Sequence, residues 1–434
     1  MTGGVFQPVH ADSGFFNYDA FVSKFSPDGA NLLYSTFFCG FGDDFGRTIA
    51  VNAGGEAFVG GFTNGGAIPT TPGAYDQTFA GAPGFADMFV FRLAADAGSL
   101  IYSTFIGGSE SESVNDIVVN EANEASFTGE VNSPNFPTTP GALQSNRTGV
   151  SACACAVRLS ADGSQLLAST YVCGNRGDYG EALAIDDAGN FYLTGRTYSD
   201  LYPITPGAYD SIPGGDADVF VAKVSAGADS LYFATFYGGM RRDIGTSIEV
   251  TSRGEVFVGG VTGSVDFEVT DCVVDSVVAG GANFWGGDFF LLKFDATGRE
   301  LHYATALGGY ADEVLPRMAW DNPDCPKAVV LAGSSNSPDY PTTPDAFQTQ
   351  LSPAGTNFAV TLLREDLAAE IEFPADSCPE TGVPFAFRAN VAGCGHWTDL
   401  SQLEWVFGDG ATALDSAVTH TYLGNGSYAV TLRQ

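Results

Sequence analysis

Short runs of alternating apolar and polar residues, closed by Gly, Asp or Pro, fill most of the chain. Alternation with period two marks half-buried strands rather than helices. DAFVSKFSPDGANLLYSTFFCG (19–40) holds two such runs around the turn SPDG, which predicts a β-hairpin. TIAVNAGGEAFVGGFT (48–63) predicts a second one. Both recur. The first returns as DMFVFRLAADAGSLIYSTFIGG (87–108), CACAVRLSADGSQLLASTYVCG (153–174), DVFVAKVSAGADSLYFATFYGG (218–239) and DFFLLKFDATGRELHYATALGG (288–309). A sixth, fading copy starts at Asn357.

The register is strict. A basic residue recurs at Lys24, Arg92, Arg158, Lys223 and Lys293, in steps of 68, 66, 65 and 70. A threonine follows each 12 positions later, at Thr36, Thr104, Thr170, Thr235 and Thr305. The second hairpin returns at 116–131, 182–197 and 247–262, with a longer version at 318–335. Two hairpins per period make a four-stranded unit that cannot bury a face alone, so units must stack. The expected fold is an all-β propeller of about five complete four-stranded antiparallel blades, with sheets across 45–106, 113–172, 180–237 and 245–307 and an irregular last blade.

Length variation concentrates in one connection, the stretch carrying IPTTPGAY (68–75), FPTTPGAL (136–143), YPITPGAY (202–209) and YPTTPDAF (340–347). With strands ordered A–B–C–D, this is the B–C loop and the GG segment is the D–A loop. Both are expected on one end of the propeller, which makes that long-loop face the expected binding face.

Composition narrows the function. Asp+Glu number 51 against 18 Lys+Arg, a net charge of −33, which disfavours nucleic acid and anionic membranes as partners. No run of 18 apolar residues offers a membrane span. The eight cysteines match no zinc spacing, and Cys153 and Cys155 are expected on one strand face.

The blocks DAFVxKxxxxGxxLxYSTxxGG, IAVxxxGxxxVxGxT and FPTTPGA, in that order, resemble the SBBP (seven-bladed β-propeller) repeat of bacterial surface and secreted proteins, over about residues 1–365. In the copy at 265–275 the Pro-Thr-Thr-Pro block is missing. After Asp366 the pattern changes. Trp405-Val-Phe-Gly-Asp-Gly410, His420-Thr-Tyr422 and Gly426-Ser-Tyr-Ala-Val430 resemble a polycystic-kidney-disease (PKD) domain, an immunoglobulin-like β-sandwich. The expected division is a propeller over 1–366 and a PKD-like sandwich over 369–434. Trp405 and Tyr428 are read as its core, Gly408 and Gly410 as turn residues, and Cys378 and Cys394 as a candidate staple. Both ends read as cut, with TGGVFQPV (2–9) aligning to TPGAYDQT (71–78) inside a B–C loop.

Candidate chemistry is sparse. The histidines His10, His302, His396 and His420 are scattered, and none of the common nucleophile, zinc, P-loop or dinucleotide motifs occurs in suitable context. An acid does stand eight residues after every repeat threonine: Asp44, Glu112, Asp178, Asp243 and Glu313. One reading has each carboxylate locking its own turn or pairing with the repeat's Lys or Arg. The other has the five forming an acidic ring that attracts Ca²⁺ or a cationic partner. The expected function is a non-enzymatic extracellular or cell-surface scaffold for adhesion, binding a protein or carbohydrate on the long-loop face. The rival is a propeller hydrolase or lyase acting on polysaccharide at the channel mouth. It requires two carboxylates in unlike environments at one site.

Overall fold

The computed structural model describes residues 2–11, 18–270, 278–279, 286–320, 328–344, 346–350, 357–364, 368–372, 385–392, 404–407, 409–414, 417–420 and 431–433. Among them every regular element is a β-strand. The chain enters as a hairpin, β1 (Ala20–Phe25) with β2 (Leu32–Phe38). Three separate four-stranded antiparallel sheets and a fourth four-stranded set follow, each in chain order. The first is β3 (Asp44–Val51), β4 (Ala57–Thr63), β5 (Asp87–Leu93) and β6 (Leu100–Ile106). The second is β7 (Glu112–Val119), β8 (Ala125–Val131), β9 (Cys153–Leu159) and β10 (Leu166–Val172). The third is β11 (Asp178–Ile185), β12 (Phe191–Thr197), β13 (Asp218–Val224) and β14 (Leu231–Tyr237). The fourth is β15 (Asp243–Val250), β16 (Val256–Thr262), β17 (Gly286–Phe294) and β18 (Leu301–Leu307).

A last unit carries three strands, β19 (Glu313–Trp320), β20 (Ala328–Ser335) and β21 (Asn357–Arg364), and joins the fourth set where Gly286 and Gly287 of β17 pair with Val314 and Glu313. The A–B–C–D order therefore holds, but the expected five complete blades become four, with a partial unit at each end of the described propeller. Among the described residues no strand pairs with the outer edge of β21, and the leading hairpin forms a two-stranded sheet of its own. Beyond it, β22 (Ala368–Glu372), β23 (Phe385–Ala392) and β26 (Ala417–His420) form one small sheet. β24 (Glu404–Val406), β25 (Thr412–Leu414) and β27 (Thr431–Arg433) form another. Together these are the two layers of the PKD-like sandwich.

Successive sheets stack face to face, with β3, β7, β11, β15 and β19 innermost. Met88 and Val90 of the first sheet pack on Phe127, Cys155 and Val157 of the second. Ala154 and Ala156 meet Leu193, Phe220 and Ala222, so small residues on one sheet admit large ones from the next. Covered on both faces, β9, β12 and β16 are buried along their whole length. The two ends lack this cover. Phe21 is 65% exposed, whereas its counterparts Phe89, Phe220 and Phe290 are fully buried. Phe358 and Val360 of β21 are likewise exposed.

Candidate functional site

The five repeat acids are buried separately, each in its own D–A turn. Asp44, Glu112, Asp178, Asp243 and Glu313 are at most 2% exposed. Each accepts a backbone N–H from four residues earlier: Gly40 to Asp44 at 2.7 Å, Gly108 to Glu112 at 2.9 Å, Gly174 to Asp178 at 2.7 Å, Gly239 to Asp243 at 2.8 Å and Gly309 to Glu313 at 3.4 Å. A serine at the end of strand B completes the lock, as in Ser199 to Asp178 (2.8 Å) and Ser264 to Asp243 (2.9 Å). Burial outweighs these bonds and pushes Glu112 up to about 7 and Asp178 and Asp243 up to about 6. Among the described residues no three Asp, Glu, His or Cys groups come together as a metal-holding set. The geometry is that of five turn locks, each closed within its own D–A turn.

A second series escaped the sequence reading. Asp87 and Asp218 open strand C of their sheets and Asp288 stands third in β17; all are fully or almost fully buried, and each accepts a backbone N–H from the loop before it. Asp87 and Glu112 flank Gly107 so closely that a Cβ there would lie 2.7 Å from one carboxylate and 3.0 Å from the other. Gly238 and Gly308 sit in the same way between Asp218 and Asp243 and between Asp288 and Glu313. Only glycine fits. In the second sheet the same two positions hold Cys153 and Cys173, joined as a disulfide. Cys155 shares the core with that bridge, as the i,i+2 spacing predicts, and stays a buried free thiol.

The repeat bases do not pair with the turn acids either. Arg92 bonds Glu56 and lies over the Phe58 ring at 5.0 Å. Lys223 meets Asp186 at 3.2 Å over Tyr192, and Lys293 meets Glu255 at 2.8 Å over Phe257.

The proline-rich loops are structural latches. Thr104 on the edge strand β6 accepts from Asp76 N–H (2.9 Å) and donates to Asp76 C=O (3.0 Å). Thr170 with Gln144 and Thr235 with Asp210 repeat the arrangement. Thr36 does so with Gln7, confirming the alignment of residues 2–9 with a B–C loop. One residue earlier the loop reaches the C–D turn of the following sheet, with Tyr75 N–H donating to Gly163 C=O at 2.8 Å. Leu143 to Ala228 and Tyr209 to Gly298 do the same. The loops thus cover each edge strand and tie neighbouring sheets together. The copy without Pro-Thr-Thr-Pro keeps this clamp: Phe267 is buried like Phe136, and Thr270 bonds Ala304 as Thr139 bonds Ser169.

A cavity opens at the opposite end. Its volume is about 620 Å³, bounded by the final residues of the inner strands and by the A–B turns 186–189 and 251–254. Val118, Leu183, Glu249 and Trp320 bring in β7, β11, β15 and β19, so four units share it at the channel mouth. The inner wall is closed by Asp116 on β7, which accepts from Leu183 N–H at 2.9 Å and Thr48 Oγ1 at 3.2 Å. Glu249 is pushed up to about 7 by burial and by the Asp116 charge. Asp186 behaves oppositely. Burial raises it, but bonds from Asn190 and Lys223 outweigh this and hold it below the usual range. That engagement is structural, because Asn52, Asn120 and Thr251 cap the equivalent turns through the same backbone N–H.

The described histidines sit apart: His10 meets Asp19 at 2.7 Å and His302 lies 3.9 Å from Glu300. His420 lies on Phe407 with ring centroids 4.1 Å apart and meets Asp409 at 2.7 Å, beside the buried Trp405. Gly410 adopts φ 95°, as a turn glycine should. Tyr428, Gly408, Cys378, Cys394 and His396 lie outside the described residues.

Residues 368–434 match the family model of the PKD domain. No curated protein matches the chain. Among solved structures it is similar to BamB from Moraxella catarrhalis, at 10% identity over 86% of this chain and 88% of that one, with a TM-score of 0.36. It is also similar to the gluconolactonase XC5397 from Xanthomonas campestris, at 15% identity, 72% and 75% coverage and a TM-score of 0.33. A Dyadobacter fermentans protein of unknown function is similar at 12% identity, 77% and 79% coverage and a TM-score of 0.39. The chain is an all-β protein of propeller-like stacked sheets followed by a PKD domain.

Proposed function

We propose that the chain is an extracellular or cell-surface binding scaffold of the SBBP-repeat type, recognising a protein or carbohydrate at the channel mouth between the A–B turns. The carrying observation is the shared cavity: four units converge on it, and Trp320 brings an aromatic wall beside the polar Thr251, Ser252 and Glu249. Sites of this kind combine an apolar surface with a few fixed polar groups. The long B–C loops, the other candidate, are occupied with latching sheet to sheet. The hydrolase or lyase reading needs two carboxylates in unlike environments at one site, and its candidates here are the part-buried Glu249 and the exposed Asp187. The test is a panel of immobilised extracellular-matrix proteins and polysaccharides, probed with the whole chain and two variants. Ser252→Trp, which fills the cavity, should abolish binding to whichever surface retains the parent chain. Thr138→Ala, in a B–C loop, should leave it intact. The reverse pattern would overturn the site.

A further inference from the structure

The charge left over in this cavity is negative. Lys223 is committed to Asp186 at 3.2 Å, and Arg253 has interactions of its own. Among the described residues Glu249 has no hydrogen-bond or ion-pair partner, and the charge beside it is another carboxylate, Asp116. Asp116 in turn faces the Arg317 guanidinium from β19. An uncompensated, part-buried carboxyl costs stability unless something of opposite charge completes it. The same wall shows how an ammonium is seated here: Lys223 Nζ lies against Asp186 and 4.7 Å from the Tyr192 ring centroid. Carboxylate plus aromatic ring is a general ammonium-binding combination. Glu249 and Trp320 offer both elements again without an internal lysine. A net charge of −33 adds long-range steering of cations.

Resting on the proposed site, we propose that the channel-mouth cavity takes an alkylammonium group, the side-chain end of a lysine on a protein partner, with Glu249 as counter-charge and Trp320 as aromatic wall. The charged groups around it are Asp116 on β7, Asp186 and Asp187 on the turn after β11, Lys223, Arg253 and Arg317. Binding requires ionised Glu249, so affinity should climb as pH rises through its titration and fade below it.

The experiment titrates Nα-acetyl-lysine amide into the whole chain by calorimetry, with the neutral Nα-acetyl-norleucine amide as control. The expected dissociation constant at pH 8 is about 1 mM, weakening about tenfold by pH 5.5. Glu249→Gln should lose about tenfold in affinity. Its melting temperature at pH 8 should be equal or higher, because a charge facing Asp116 has gone. Absent binding by the parent chain, binding of the norleucine control with equal strength, or undiminished binding by Glu249→Gln would each overturn the assignment. If Ser252→Trp still blocks the immobilised partner, the site survives and only the ammonium chemistry falls.

Discussion

Asp116 on β7 accepts a 2.9 Å hydrogen bond from the Leu183 N–H on β11, so one side chain of the second sheet closes the inner wall onto the third. Its other oxygen serves Thr48 on β3 and the Ile117 N–H. Asp116→Ala should therefore cost about 2–3 kcal/mol, the scale for stranding part-buried donors. Urea unfolding measures it. Loss of less than about 0.5 kcal/mol would show that the inner wall does not depend on this carboxylate.

Stability should rise on mild acidification. Glu112 and Asp218 titrate near 7, and Asp178 and Asp243 near 6, because burial penalises their charged forms. Each folded-state value lies above the unfolded one, so the folded chain binds more protons between them and loses stability as pH rises through the folded pKa. The melting temperature should climb by about 5 °C from pH 7.5 to pH 5.5. It should fall again below the ordinary carboxylate range, where Asp162, held low by Ser160 and Ser164, becomes protonated. A flat or rising profile between pH 5.5 and 7.5 would contradict the buried pairs.

The disulfide replaces an aspartate–glycine pair, which makes its substitution informative. Cys153→Ala with Cys173→Ala should destabilise by about 3 kcal/mol, the loop-closure value for a bridge spanning 20 residues. Cys153→Asp with Cys173→Gly restores the residues found at Asp87 and Gly107. It should recover part of that loss, as read from melting curves. No recovery would show that the second sheet needs the bridge for packing rather than for closing this corner.

Much of the fold was legible because the repeat preserves what strands demand: alternating apolar residues, turn glycines and a fixed register. Glu112 and Asp243 were found by position, yet their partners Asp87 and Asp218 were not, since only stacking shows that both acids flank one glycine. In sequence Pro-Thr-Thr-Pro reads as scaffold that stiffens an exposed loop. Its threonine clamps an edge strand, and Thr270 keeps that role without the prolines. The cavity was invisible in sequence because Glu249, Tyr192 and Trp320 come from different units and share no motif.

The uncovered ends predict association. Phe21 and Phe25 present the face that every later sheet buries under its predecessor, while Phe358 and Val360 present the complementary one. Exposed apolar faces and strand edges of this kind promote self-assembly. The chain should sediment as concentration-dependent oligomers, and Phe21→Asp with Val360→Asp should return it to a monomer. A parent chain that stays monomeric at all concentrations would contradict open ends.

The central claim is the position of the binding site at the A–B turn end. Hydrogen–deuterium exchange on the chain, alone and bound to the partner that retains it most strongly on the panel, tests this directly. Protection should concentrate in 183–192 and 249–254, with 68–75, 136–143 and 202–209 unchanged. Protection confined to those proline-rich loops would contradict the account.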